Sequence, residues 1–159
     1  MTTTLILIRH AKPEEESESG IAMDDFTQPI SQEGQLIQEM MSQKLKGLGY
    51  RPNVIFCSPL VRTKMTAEIL GEAFQLAPIN DDNLMLHGDD LKLIATLPDP
   101  ALNQTIILVG HGPSLLRLAN RLVGKATPIY TIDRSGALVI RFDGEVAVGK
   151  AQFVEYVQP

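Results

Sequence analysis

Several things that other protein classes need are scarce or missing in this chain. It has one cysteine in 159 residues, Cys57, so no internal disulfide can form. A chain of this length removes roughly 70% of its unfolded surface from water and needs no covalent staple. Long apolar runs are also missing. Leu5–Ile8 gives only four apolar residues before Arg9, where a signal peptide uses about 7 or more and a membrane span about 20. The expectation is a cytoplasmic protein that does not engage a membrane. No run of Lys or Arg exceeds two residues, and 14 basic against 19 acidic side chains leave a net charge of −5. That balance argues against nucleic acid as a partner. The 12 Gly and 10 Pro, about 14% of the chain, fall short of low-complexity levels. With 44% hydrophobic and 21% charged residues, the chain reads as one globular domain over residues 1–159.

The elements alternate. Leu5–Ile8 is a continuous apolar run of the kind buried on both faces of a parallel sheet, and it stops at Arg9-His10. Residues 12–28 carry six acidic side chains and few apolar ones, and read as a solvated loop. Ser31 caps a helix whose predicted apolar stripe is Leu36, Ile37, Met40, Met41, Leu45 and Leu48, with the Met pair as core filler and an exit near Gly47 or Gly49. Val54–Cys57 is a second strand, and Ser58-Pro59 opens a helix over roughly 60–74. A weaker helix runs from about Asp89 to Leu97, stopped by Pro98. Thr105–Val109 is a third strand, followed by Gly110-His111-Gly112-Pro113 and a leucine-rich helix. The tail, Ala137–Phe142 and Phe153–Val157, closes as a strand pair. This order predicts an α/β three-layer sandwich with a mainly parallel central sheet.

Two apparent nucleotide motifs fail. Gly144-x4-Gly149-Lys150 has phosphate-loop spacing, but Ala151 stands where a Ser or Thr would hold magnesium, and a strand pattern follows instead of a helix. Gly110-His111-Gly112 lacks the third glycine of a dinucleotide fingerprint, since that place is Leu115. What remains is positional. His10 follows the first strand, Arg62 lies one turn into the helix after the second, and His111 follows the third. Open parallel sheets bind ligands at the carboxyl ends of their strands. Two helix starts would add backbone N–H groups and positive dipole ends at the same edge, so the pocket suits an anion. Arginine at positions 9 and 62 suits a phosphoryl group, because a planar guanidinium donates paired hydrogen bonds to two oxygens. His87 matches no strand end and is read as a histidine without a chemical role.

Arg9-His10-Ala11, Ser58-Pro59-Leu60-x-Arg62-x-x-x-Thr66-Ala67 and Val109-Gly110-His111, in that order, resemble the histidine phosphatase superfamily, whose fold is phosphoglycerate mutase-like. The short chain and Gly110-His111-Gly112-Pro113 look most like its small SixA-type branch of protein phosphohistidine phosphatases. The resemblance implies a nucleophilic His10, a phosphoryl group held by Arg9, Arg62 and His111, and neither cofactor nor metal. The chemistry is coherent in its own right. Guanidiniums beside His10 would hold its ring neutral, in-line attack would give phospho-His10, and Arg9, Arg62, His111 and the Gly112 N–H would stabilise the equatorial oxygens.

Many members of that superfamily carry a Glu or Asp that protonates the leaving group, whereas residues 80–90 here contain no Glu. Asp89, after Gly88, is the candidate proton donor, with Asp82 behind it. The competing reading is that Asp89 only caps the next helix. Three functions remain open from the sequence: a phosphatase acting on a phosphohistidine-bearing partner protein such as a histidine phosphotransfer domain, a small-molecule phosphomonoesterase, and a phosphate-dependent binding module without turnover. The sequence leaves the oligomeric state undetermined.

Overall fold

The apolar runs become the middle of one sheet. The computed structural model describes residues 1–14, 26–98, 102–124, 129 and 131–159. Its strands are β1 (Thr2–Arg9), β2 (Val54–Cys57), β3 (Ile79–Asn80), β4 (Gln104–Gly110), β5 (Ala137–Asp143) and β6 (Gln152–Val157), and they form a six-stranded sheet in the order β3-β2-β4-β1-β5-β6. The first four of that order run parallel, while β5 lies antiparallel to β1 and β6 antiparallel to β5. The helices are α1 (Gln32–Gly47), α2 (Val61–Phe74), α3 (Asp90–Ala95) and α4 (Gly112–Val123). No helix among the described residues is long and apolar enough to cross a membrane.

Successive strand side chains point to opposite faces, so a central strand divides its residues between two cores. Leu5 and Leu7 of β1, with Ile106 and Leu108 of β4, pack with Leu115, Leu118 and Leu122 of α4 and Leu93 of α3. Ile6, Ile8, Ile107 and Val109 pack with Met41 and Leu45 of α1 and Ala67 and Leu70 of α2. Every residue from Leu5 to Ile8 and from Ile106 to Val109 is completely buried, each such side chain contributing about 1.5–3 kcal/mol. Three layers follow, with α1 and α2 on one face and α3 and α4 on the other.

The buried face of α1 differs from the stripe expected of it. Gly34, Gln38, Met41, Ser42 and Leu45 face inward, while Leu36, Met40 and Leu48 are exposed. Only Met41 of the Met pair is core. The inward Gln38 and Ser42 partly satisfy each other, since Ser42 Oγ donates to the Gln38 carbonyl at 2.9 Å and Gln38 Nε2 reaches Ser42 Oγ at 3.4 Å. Polar residues of this kind defeat a count of apolar positions. The acidic loop of 12–28 lies, at residues 15–25, outside the described residues.

α1 also anchors the chain that leaves β1. The Ser31 N–H donates to the Lys12 carbonyl at 2.8 Å, and Ser31 Oγ accepts the Gly34 N–H at 3.0 Å as the expected cap. A Cβ on Gly34 would lie 2.4 Å from the Lys12 carbonyl oxygen, a backbone atom that cannot swing aside. Gly34→Ala is therefore expected to cost about 1–3 kcal/mol, read as a lower urea midpoint with an unchanged m-value. An unchanged midpoint would show that the segment after β1 moves freely over α1.

Candidate active site

Strand register assembles the site. β1 pairs with β4 in parallel with Arg9 opposite Gly110, so the next residue of each strand, His10 and His111, emerges at the same carboxyl edge. Their ring centroids lie 5.6 Å apart with planes inclined at 63°. β2 pairs with β4 with Cys57 opposite Val109, which brings Ser58 to the same edge. Ser58 Oγ lies 3.0 Å from His111 Nε2. α2 begins three residues beyond Ser58 and carries Arg62 in its first turn, buried. Arg9, His10, Arg62, His111 and Gly112 are thus brought together as the sequence predicted.

Each side chain is held from behind. The His10 N–H donates to the Gly110 carbonyl at 3.0 Å, and His10 Nδ1 sits 2.8 Å from the Ala11 carbonyl. A ring nitrogen facing a carbonyl must carry the proton, which leaves Nε2 of the neutral ring with its lone pair. Thr66 Oγ1 donates to the Arg62 carbonyl at 2.7 Å and accepts the Ala11 N–H at 2.9 Å, tying α2 to the residue after His10. Arg9 Nη1 donates to the Ile132 carbonyl at 3.0 Å, while its Nε is buried without a partner among the described residues. His111 Nδ1 is likewise buried and unpartnered. Orphaned polar atoms cost free energy, and both of these belong to the groups gathered at this sheet edge.

Backbone adds to the side chains. Neither Leu60 before α2 nor His111 before α4 caps its helix with a side chain; the Val61 N–H of α2 donates to the Phe26 carbonyl at 3.2 Å, and the positive ends of both helices point to this edge, which suits an anion. Gly112, the first residue of α4, packs flat against Arg9: a Cβ there would lie 3.1 Å from Arg9 Nε and 3.4 Å from Cζ. Glycine lets the guanidinium lie beside the helix start.

Burial first, and then the charges of Arg62, His111 and Arg9, lower the His10 pKa to about 4. Burial, then Arg62 and Arg9, lower His111 to about 4 as well. The sequence pointed to the guanidiniums as the cause. Desolvation is the larger effect, because the buried ring loses the water that would stabilise its cation.

A cavity of about 300 Å³ opens beside these groups, lined by Phe26, Leu60, Arg62, Asp82, Met85, Leu86, His87 and His111. Asp89 does not line it. Its Oδ1 instead accepts the Leu91 and Lys92 N–H groups at 3.0 and 3.2 Å, capping α3. The carboxyl at the cavity is Asp82, on the 3₁₀ turn Asp82–Leu84, and it is joined by His87, which the sequence reading set aside. No motif flags His87. The one hint is Gly88 after it, a position where a Cβ would meet the Asn83 carbonyl oxygen at 1.9 Å and which therefore closes a tight turn.

Comparison with known proteins agrees with this geometry. Residues 5–85 match the model of the histidine phosphatase superfamily, branch 1. The chain belongs to that superfamily. Its fold is that of SixA-type structures: a protein histidine phosphatase SixA complexed with tungstate superposes with a TM-score of 0.82 at 20% identity, covering 96% of this chain and 95% of that one. A candidate phosphohistidine phosphatase SixA from Agrobacterium tumefaciens gives 0.77 at 20% identity, covering 99% and 98%. A mycobacterial glucosyl-3-phosphoglycerate phosphatase gives 0.66 at 16% identity, covering 90% and 92%. At such identities these likenesses establish the fold alone.

The depressed histidine pKa values set a pH dependence. Between about pH 6.5 and 4 the unfolded chain binds protons at both rings that the folded chain does not, so stability rises with pH across that window. It is lost as pH falls toward about 4. Denaturation midpoints should fall on acidification through this range, and His10→Gln should flatten the slope. Ring-proton NMR titrations that place both midpoints at or above about 6.5 would contradict the assignment.

Proposed function

We propose that the chain, acting as one domain, is a phosphatase that removes the phosphoryl group from phosphohistidine in a partner protein, such as a histidine phosphotransfer domain, through a phospho-His10 intermediate. The observation that carries the reading is His10 itself. Its Nδ1 is occupied by the Ala11 carbonyl, burial and the charges of Arg62, His111 and Arg9 lower its pKa to about 4, and its Nε2 is left with the lone pair of the neutral ring.

Attack by His10 Nε2 on phosphorus forms the N–P bond as the leaving group departs in line, and water then displaces phosphate from His10. Arg9, Arg62, His111 and the Gly112 N–H bind the three equatorial oxygens, where transition-state charge accumulates. The two guanidiniums supply positive charge of the kind that metal ions supply in other phosphoryl-transfer sites, so no cofactor is invoked. The Ala11 carbonyl stabilises the proton on Nδ1, so that His10 can carry a phosphoryl group on Nε2 while its ring stays fixed.

Phosphohistidine fits because its leaving group is a nitrogen heterocycle. An alkoxide leaves only when an acid protonates it, and the carboxyl expected for that step, Asp89, is engaged as a helix cap and does not line the cavity. A second reading, a small-molecule phosphomonoesterase on the same groups, is favoured by the cavity volume of about 300 Å³, which lies in the range of small-ligand sites. The likeness to a glucosyl-3-phosphoglycerate phosphatase points the same way.

Brief incubation with labelled phosphohistidine protein should trap an acid-labile, alkali-stable phosphoryl group on the chain, absent in His10→Ala. Label that persists in the variant would move the nucleophile elsewhere. In parallel, kcat/KM for phosphohistidine protein should exceed that for sugar and glycerol phosphates by about 100-fold or more, because a nitrogen heterocycle is a far better leaving group than an alkoxide. Equal or greater activity on the alkyl esters would establish the small-molecule reading instead.

A further inference from the structure

The cavity wall contributed by residues 82–88 lies outside the set of residues assigned above to the phosphoryl group. It is nevertheless built with care. The Met85 N–H donates to the Asp82 carbonyl at 3.1 Å and the Gly88 N–H to the Met85 carbonyl at 2.9 Å. Gly88 allows the turn to fold back against Asn83. From α4, Arg117 makes two 3.1 Å bonds, Nε to Oδ2 and Nη2 to Oδ1, with the buried carboxylate of Asp90. The same guanidinium reaches the carbonyls of Leu86 and Gly88 at 3.4 Å each, the two residues that flank His87. Arg121 adds a 3.7 Å ion pair to Asp90. The helix that presents Gly112 to Arg9 therefore also grips the backbone on both sides of His87, and His87 lines the cavity shared with Arg62 and His111.

Resting on the phosphatase reading above, we propose that His87 is the proton donor to the leaving group. As His10 Nε2 forms its bond to phosphorus, the P–N bond of the substrate breaks and its electron pair passes into the leaving imidazole. His87, as imidazolium, delivers its proton to the ring nitrogen of the substrate that is not bonded to phosphorus, so a neutral imidazole departs. In the second step neutral His87 accepts a proton from the attacking water as the O–P bond forms and the N–P bond to His10 breaks, which restores both histidines and releases hydrogen phosphate. An imidazole is the side-chain type that both gives and takes a proton near neutral pH. The charged groups around it are Asp82 and Arg62 at the cavity and, against its backbone, Arg117 and Asp90. His10 and His111, held neutral by burial, do not compete for this role. Exposure of His87 lets it exchange protons with solvent between turnovers.

The test uses the whole chain and a series of leaving groups. His87→Asn and the parent are compared on phosphohistidine protein, phenyl phosphate and p-nitrophenyl phosphate, with kcat/KM followed against pH. The expected result is a loss of about 100-fold on the first two substrates, a far smaller loss on p-nitrophenyl phosphate, whose phenolate leaves without help, and disappearance of the alkaline limb of the profile. An equal loss on all three substrates, or no loss on any, overturns the assignment, as does an alkaline limb that survives in the variant. Circular dichroism and the urea midpoint of the variant separate either result from misfolding. If the parent forms no phosphoryl-His10, the phosphatase reading fails and takes this assignment with it; if the parent labels normally, a uniform loss condemns His87 alone.

Discussion

The parallel pairing of β1 with β4 is the constraint on which the site depends. Because Arg9 lies opposite Gly110, the chain leaves both strands at the same level, and His10 and His111 come out side by side without either loop having to be shaped for the purpose. A slip of one residue would send every β1 side chain to the opposite face. Leu5, Ile6, Leu7 and Ile8 would then exchange cores, so the packing energy of two hydrophobic layers enforces the register that places the two histidines.

The same sheet edge sets the electrostatics. Burial lowers both histidine pKa values and deprives Arg9 of solvent, so each group meets its neighbours in a medium where charge interactions are strong. Two helix starts without an N-cap side chain and, among the described residues, two buried nitrogens without partners add unsatisfied polar capacity at one sheet edge. Such an arrangement is expensive for the empty protein and favourable once an anion fills it.

How far the sequence foretold this depends on the range of the interaction. Arg9-His10, Ser58-x3-Arg62 and His111-Gly112 were legible because each is a strand end running directly into a loop or helix, a local pattern. The three-layer fold followed from the same alternation. Asp89 allowed two readings, and the choice between acid and cap rested on which amide groups α3 would present to it. The inward face of α1 was misjudged because Gln38 and Ser42 bond each other and so count as core despite their polarity. His87 was set aside because it follows no strand, yet it lines the cavity. Its position comes from a glycine turn and from Arg117, 30 residues further along the chain, and no short motif encodes a contact of that range.

Arg9 joins the site to a late part of the chain. Its N–H donates to the Gly136 carbonyl, its carbonyl accepts the Ser135 N–H, and its guanidinium donates to the Ile132 carbonyl. β1, made first, is therefore completed only by β4 and β5, from about 100 to about 140 residues later, and pairings of such separation form late in folding. During synthesis His10 emerges early but remains outside any finished pocket until β5 has left the ribosome and docked. A nascent chain holds the residues for phosphoryl chemistry long before it holds the site, and a fragment ending after α4 would leave Arg9 without its backing.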